Sequence, residues 1–465
     1  MKHNRFLATH IGFVLGALLL GMGSTGALEV ITFRADVTPP MGAPLCNGNV
    51  TPVAAVDDPL TARGIVLYAG GQTPVVLCVV DWVGIGNTAH DAWRQALADA
   101  AGTTVDRVTV HTVHQHDAPG CDFTVEELAA RVALSGAMFD PDFARQAIAR
   151  TAEALRTAAT RRQHVTHVGF GKAKVERVAS NRRIMGENGK VRVMRASRCK
   201  DPALRAEPEG LIDPYLRSVS FWDDHTPVAV LMYYATHPQT RYGEGHVSAD
   251  MVGWARERRE DAVGAPHLYF TGAGGNIAAG KYNDGSVENR TVLSARVEDG
   301  MRQAWDNTKR FQLSEDAVAW ATRDVALPVR EEIDDDEDRA VLRNQDAETK
   351  KRVRAARELA WRRQCAQGHR ICIGRLRLGP LSIIHMPGEL FVEYQLAAQQ
   401  MAGEAPVCMA AYGDYGPGYI GTAEAYTQGG YETQLHTSRV SPKAEAVLLQ
   451  AMRELLEPRA PQPAE

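Results

Sequence analysis

Val110-His111-Thr112-Val113-His114-Gln115-His116-Asp117-Ala118-Pro119-Gly120 sets three histidines where a β-rich run gives way to a Pro/Gly loop. In an extended strand, residues two apart face the same side, so His114 and His116 are expected to point into one cleft and His111 to face the other way. Taken alone, such a pair is read equally well as structural or as metal-binding. Further along, Tyr233-Tyr234-Ala235-Thr236-His237-Pro238 again ends a strand-like run on a histidine. Ile384-His385-Met386-Pro387-Gly388-Glu389 runs from a strand into an expected helix start. Glu389 then falls in a first helical turn, where the helix dipole favours a carboxylate, and capping alone accounts for it. Strand ends carrying His, His and Glu fit the open pattern of a catalytic zinc site better than three coincidences.

The same alternation of patterns extends outward. Strands are expected at residues 64–68, 75–80, 108–113, 227–235 and 381–385, with a hairpin turn at Gly70 and Gly71 between the first two. Helices are expected at 90–101, 143–159, 248–261, 294–308 and 442–456. Strand-loop-helix order predicts an α/β fold, a mixed β-sheet core with surrounding helices. Residues 331–364 are rich in Glu, Asp, Arg, Lys and Ala and read as a solvated helix or helical hairpin, a spacer or cover. No repeat of the kind that signals a solenoid or propeller is visible. A division near residue 310 is weighed against the chemistry supplied by the last third, and residues 28–457 are treated as one catalytic unit.

The chain has 465 residues, 45% hydrophobic and 23% charged, which excludes a disordered or fibrous protein. Lys2 and Arg5, an apolar run and then small residues to Ala27 have the layout of a secretory signal peptide over residues 1–27, with an uncleaved anchor as the other reading. Secretion or a periplasmic location follows as an expectation, with no stable membrane anchor. Three prolines in residues 458–465 predict a disordered tail. Loss of Lys2 and Arg5 would move the net charge from -4 to -6, which argues against nucleic acid as a partner. No protein partner is indicated. Seven cysteines leave at least one unpaired. Cys365 and Cys372 are near enough in sequence to close a small loop, although spacing does not establish a bridge. No CxxC pair is present, which argues against a thiolate zinc site.

His114-Gln115-His116-Asp117-Ala118-Pro119 resembles the His-Thr-His-Ser-Gly-Pro motif of the neutral ceramidase family, and Ala235-Thr236-His237 resembles its second histidine segment. Pro387-Gly388-Glu389 is similar to the family's Pro-Gly-Glu turn. Gly418-Tyr419-Ile420-Gly421-Thr422, followed by Tyr431-Glu432, resembles its Gly-Tyr-Val-Thr-Thr and Tyr-Glu segments, and Ser180-Asn181-Arg182 its Asn-Arg segment. The resemblance implies a ceramidase-like catalytic domain and a Zn2+ ion held by His114, His237, Glu389 and Tyr419. It places His116 beside the metal as proton donor or carbonyl polariser, Tyr431 at the developing oxyanion, and Arg182 on a substrate oxygen. Without it, Tyr419 and Tyr431 read as packing residues and Arg182 as a surface arginine.

The chemistry so implied is coherent. Zinc brings the pKa of its water to about 7 and polarises a carbonyl, histidine titrates near neutrality, and one oxyanion donor contributes about 3 kcal/mol. The expected function is hydrolysis of an N-acyl amide bond, in ceramide or another small-molecule or lipid N-acyl compound. The alternatives are a glycosidic or ester bond in a carbohydrate, or a secreted binding protein without turnover.

Four departures from the family pattern bear on the substrate. Thr271 to Gly280 contains no serine, so its glycines read as amide donors to a ligand or as tight turn packing. Lys281-Tyr282-Asn283-Asp284 reads as substrate contacts or a loop cap. Asp117 stands where the family has Ser and is expected to orient a histidine, and Ala118 replaces Gly. No C-terminal Ig-like domain of the family's kind is expected in these residues, and no amphipathic membrane helix is visible among them.

Overall fold

The computed structural model describes Met1 and residues 28–457, so the rest of the expected leader and the tail 458–465 lie outside the described residues. The framework repeats one arrangement three times. In each instance three strands form an antiparallel meander, a helix crosses back, and a fourth strand lies parallel to the third. The first module is Leu28–Asp36, Thr61–Tyr68, Val75–Val80, helix Asn87–Ala101 and Val108–Thr112. The second is His167–Lys174, Tyr215–Asp223, Thr226–Tyr234, helix Asp250–Val263 and His267–Thr271. The third is Val318–Val325, Ile371–Leu378, Leu381–His385, helix Val392–Ala402 and Val407–Ala410. Gln163–Val165 and Lys309–Gln312 add a fifth strand to the first and second sheets. One further helix in each module, Pro141–Ala158, Val287–Asp306 or Ala444–Leu456, packs back onto its sheet.

Sequence explains the layering. Val75–Val80 is an unbroken apolar run and all six residues are buried, because this strand has cover on both faces. Leu28–Asp36 is divided by the strand period: Leu28 and Val30 enter a central core shared by all three sheets, whereas Ile31 and Phe33 face the helices of the first module. In the third module Leu381 and Ile383 join the same central core, and Ile384 turns to that module's own helices. The helix Pro141–Ala158 is started by Asp140, whose side chain accepts from Asp142 N and Phe143 N, with Pro141 in the first turn.

The mixed α/β architecture expected from sequence is present, and among the described residues no separate Ig-like domain occurs. Residues 75–80 and 381–385 match strands at both ends. The charged stretch forms a helical hairpin, Asp335–Arg343 and Thr349–Ala366, inserted between the first two strands of the third module. Helix Val287–Asp306 begins seven residues before the expected start, since its first two turns are polar and carry little periodic signal. All seven cysteines are free thiols, so no bridge closes the Cys365–Cys372 loop. No helix among the described residues is long and apolar enough to cross a membrane.

One buried ion pair ties the first sheet to the second module. Arg256, on helix Asp250–Val263, donates from Nη1 to Asp81 Oδ1 at 2.7 Å and from Nη2 to Asp81 Oδ2 at 2.9 Å. Both side chains are 1% exposed. Burial by itself raises a carboxyl pKa, but Arg256 outweighs it and holds Asp81 below its ordinary value. The sign is therefore that of a depressed acid: its contribution to stability is full above the ordinary carboxylate pKa and is lost as pH falls through the folded value. Asp81→Ala takes the buried partner from Arg256 and leaves it only the part-exposed Glu257 at 3.3 Å, and urea unfolding at neutral pH is expected to show a loss of about 3–5 kcal/mol. The gap between wild type and variant should narrow below about pH 4.

Candidate metal centre

The three modules meet at the carboxyl ends of their parallel strand pairs, where open α/β sheets place ligands. Thr112 N donates to Tyr412 O, Ala411 N to Thr271 O, and Gly272 N to Tyr234 O, each at 2.9 Å. The strand Val108–Thr112 stops before the histidine pair. His114 takes the left-handed backbone, φ 71°, so it is a turn, not strand alternation, that brings His114 and His116 together with ring centroids 5.0 Å apart. Such a conformation costs a non-glycine residue about 1–3 kcal/mol. It is held here by His114 N to Trp82 O at 2.9 Å. His111 does face away: Nδ1 lies 2.7 Å from Ala411 O and Nε2 2.9 Å from His385 Nδ1.

His237 follows the third strand of the second module, and the Gly-rich loop forms its seat. His237 Nδ1 is 2.8 Å from Gly274 O and 3.0 Å from Ile277 O. A Cβ on Gly275 would stand 2.3 Å from Glu389 O, so the loop glycines serve close backbone packing between the His237 and Glu389 segments. Lys281 and Asn283 spend their side chains on backbone carbonyls, Asn283 on Ser197 O and Thr240 O, which makes them ties within the loops. Glu389 does not lie in a helical turn, contrary to the sequence expectation. It opens the short strand Glu389–Leu390, paired in parallel with Tyr419–Ile420, and the helix begins only at Val392. The Pro387-Gly388 turn (Gly388 φ 56°) spends the intervening residues on re-aiming the chain.

Glu389 Oε2 lies 3.2 Å from His114 Nε2 and 3.1 Å from His237 Nε2, and Oε1 accepts from Tyr415 OH at 2.7 Å. All three side chains are buried. The ring nitrogens of His114, His116 and His237 fall within 4.8 Å of one another, a cluster able to hold a metal ion. The donor chemistry fits one. Carbonyl oxygens accept from Nδ1 of His237 and from Nδ1 of His114, the latter at 2.5 Å to Val83 O. Each ring therefore carries its proton on Nδ1 and turns an Nε2 lone pair toward a carboxylate oxygen. Lone pairs facing lone pairs in a buried site are favourable only around a cation. His114 Nε2 makes no hydrogen bond of its own.

His116 differs from both. Ser197 Oγ donates to Gln239 Oε1 at 2.6 Å, which turns the Gln239 amide nitrogen to His116 Nδ1 at 3.0 Å. Nδ1 is thus an acceptor and the ring proton sits on Nε2, which is buried with no hydrogen-bond partner. Burial first, then His114 and His237, keep His116 well below its ordinary pKa and hence neutral. Cys46 Sγ lies 3.5 Å from the same Nδ1, and burial pushes that thiol up to about 12, so it is not a thiolate.

Arg182 is buried, not superficial. Its Nε and Nη2 donate to Glu432 Oε1 at 3.3 and 3.2 Å, and Nη2 also donates to Tyr419 OH at 3.2 Å. Tyr431 lies against Tyr419, ring centroids 6.0 Å apart, and is 47% exposed at the mouth. His116, Arg182, Glu389, Tyr419 and Tyr431 line one pocket of about 530 Å³, with His114 and His237 behind it. Asp117, expected to orient a histidine, accepts instead from Gly243 N at 2.9 Å and fixes the loop after His237. Two functional neighbours, Tyr415 and Gln239, were not singled out from sequence, and Glu432 was named only within the Tyr-Glu segment, without a role. Tyr415 was hidden among the tyrosines of residues 412–431, and Gln239, two residues after His237, carries no signal without its Ser197 partner.

No protein-family model matches the chain, and no curated protein matches it in sequence. Solved structures do. Neutral ceramidase from Pseudomonas aeruginosa superposes with a TM-score of 0.67 at 16% identity, over 92% of this chain and 74% of that one. A ceramidase complexed with C2 gives a TM-score of 0.66 at 15% identity, over 92% and 75%. The chain therefore has the fold of the neutral ceramidases on which it superposes.

Proposed function

We propose that the protein is a zinc-dependent hydrolase of N-acyl amide bonds, with the ion held by His114, His237, Glu389 and Tyr419. The observation that carries this reading is the convergence of two Nε2 lone pairs on Glu389 Oε2 in a buried site open to one pocket. Imidazole and carboxylate donors suit zinc, and the fold likeness supports amide hydrolysis. When bound, the ion would supply Lewis acidity and an acidified water. The chain's own groups supply the rest. Val83 O, Gly274 O and Ile277 O fix the tautomers of His114 and His237. Tyr415 holds the second Glu389 oxygen.

His116, neutral and with its Nε2–H free, is placed to donate a hydrogen bond to the carbonyl oxygen as negative charge develops there. Gln239 keeps that proton on Nε2. Arg182, anchored by Glu432, orients the Tyr419 hydroxyl and offers its remaining N–H groups to a substrate oxygen. Tyr431 closes the mouth with a hydroxyl that has no partner among the described residues. The leader-like residues 1–27 support action outside the cytoplasm.

Metal analysis of the purified chain should find about one zinc, lost in His114→Ala, His237→Ala and Glu389→Ala. Full metal in all three variants would sink the ligand set. Chelation should lower the melting temperature, and zinc at 100 times its Kd should restore about 2.7 kcal/mol.

His116→Ala should keep its metal and lose about 10²–10⁴ in kcat on whichever N-acyl sphingosine or polar N-acyl compound the wild type cleaves. Gln239→Leu should also keep metal and lose about 10–100-fold, the scale on which second-sphere partners act. A Gln239→Leu enzyme with wild-type kcat would remove the tautomer argument.

A further inference from the structure

One wall of the pocket comes from helix Thr349–Ala366. Lys350, Arg354 and Arg357 stand at i, i+4 and i+7 on that helix, one face, and all three line the pocket with Val353 between them. The Arg357 guanidinium lies 5.5 Å over the ring of Tyr415, the residue bonded to Glu389, so the basic stripe reaches the metal centre itself. Lys350 donates to Asn49 O at 2.9 Å across the mouth.

The charge balance of the pocket is one-sided. Arg182, Arg195, Lys350, Arg354, Arg357 and Arg439 line it, against Glu389 as the single carboxylate. Three of these cations are already committed: Arg182 to Glu432, Arg439 to Glu358 at 3.1 Å, and Arg195 to the carbonyls of Asn181, Leu204, Glu207 and Pro208. Among the described residues no carboxylate lies within ion-pair distance of Lys350, Arg354 or Arg357. Beside this charge the lining carries Val50, Met194 and Val353 and the rings of Tyr242, Tyr419 and Tyr431. An oxyanion entering this pocket finds three cations with no carboxylate partner along one concave wall.

We infer that the substrate is an anionic N-acyl compound, whose carboxylate, sulfate or phosphate is received by Lys350, Arg354 and Arg357 while its amide lies at the histidines. This inference takes the amide from the hydrolase reading but takes the anion from the stripe alone. The oxyanion sits on a different part of the molecule from the scissile bond, since Lys350 and Arg354 lie on helix Thr349–Ala366 and the histidines on the first and second modules.

Calorimetric titration of the full-length wild type and of a Lys350→Gln/Arg354→Gln double variant tests it. The probes are N-acetylglucosamine as the neutral reference, its 6-phosphate, its 6-sulfate, and N-acetylmuramic acid for a carboxylate. Both substituted side chains are exposed, and equal melting temperatures would confirm an unchanged fold. At least one anionic probe should bind about tenfold or more tighter than the neutral sugar. That advantage should shrink as salt rises from about 0.05 to about 0.5 M and vanish in the double variant. The arm with the largest advantage identifies the anion. Anionic probes that all bind within about twofold of the neutral sugar, or a preference untouched in the double variant, would overturn the inference. Released amine, measured on the same samples, separates the two readings. Charge preference without cleavage would count against the hydrolase alone, and cleavage without charge preference against the anion site alone.

Discussion

A carboxylate held at 3% side-chain exposure between two imidazole nitrogens is the constraint on which the molecule turns. An isolated buried carboxylate is expensive, by several kcal/mol even after relaxation. Glu389 is tolerable only because segments from all three modules arrive beside it in fixed orientation. His114 comes from the first module, His237 from the second, and Glu389 itself with Tyr415 and Tyr419 from the third. Two left-handed residues flank this point. His114 and Tyr412 both take left-handed φ, 71° and 58°, and Tyr412 stacks on the His114 ring with centroids 4.4 Å apart. Strain of this kind persists where surrounding packing over-determines it, and it gathers at functional sites.

Much of the framework was legible because burial writes itself into sequence. A run such as Val75–Val80 has no reading other than a covered strand. The threefold β-β-β-α-β module was not legible, because its three copies differ in loop length and residue pattern and share only the order of strands. The site was legible in its members more than in its geometry. The motif residues do gather at and behind one pocket, but two local arguments for them fail. His114 and His116 converge through a left-handed turn that strand periodicity does not encode, and Glu389 lies in a two-residue strand whose register is set by Tyr419, thirty residues away in sequence. Tyr415, Gln239 and Glu432 act through partners brought near only by tertiary folding. The charge of residues 331–364 was equally compatible with a solvated face. Only the placement of Thr349–Ala366 shows that one side of it lines the pocket beside Glu389.

The three modules also divide labour in a way that bears on specificity. Segments after the third and fourth strands carry the histidines, Glu389 and the tyrosines, and they are pinned by sheet hydrogen bonds. The remaining pocket walls come in every module from the connection between the first and second strands. Cys46, Asn49 and Val50 belong to the first such connection, Arg182, Met194 and Arg195 to the second, and Lys350, Arg354 and Arg357 to the third. A site needs its reacting groups on rigid elements, whereas connections tolerate insertion and change of composition. The same scaffold can therefore keep a metal centre while its pocket is rebuilt for a different substrate. At 16% identity to a neutral ceramidase, the fold is retained. The helical hairpin inserted in the third connection is where this chain places its unpaired positive charge. Substrate choice should accordingly follow these connections, and the likeness of the sheets carries no information about it.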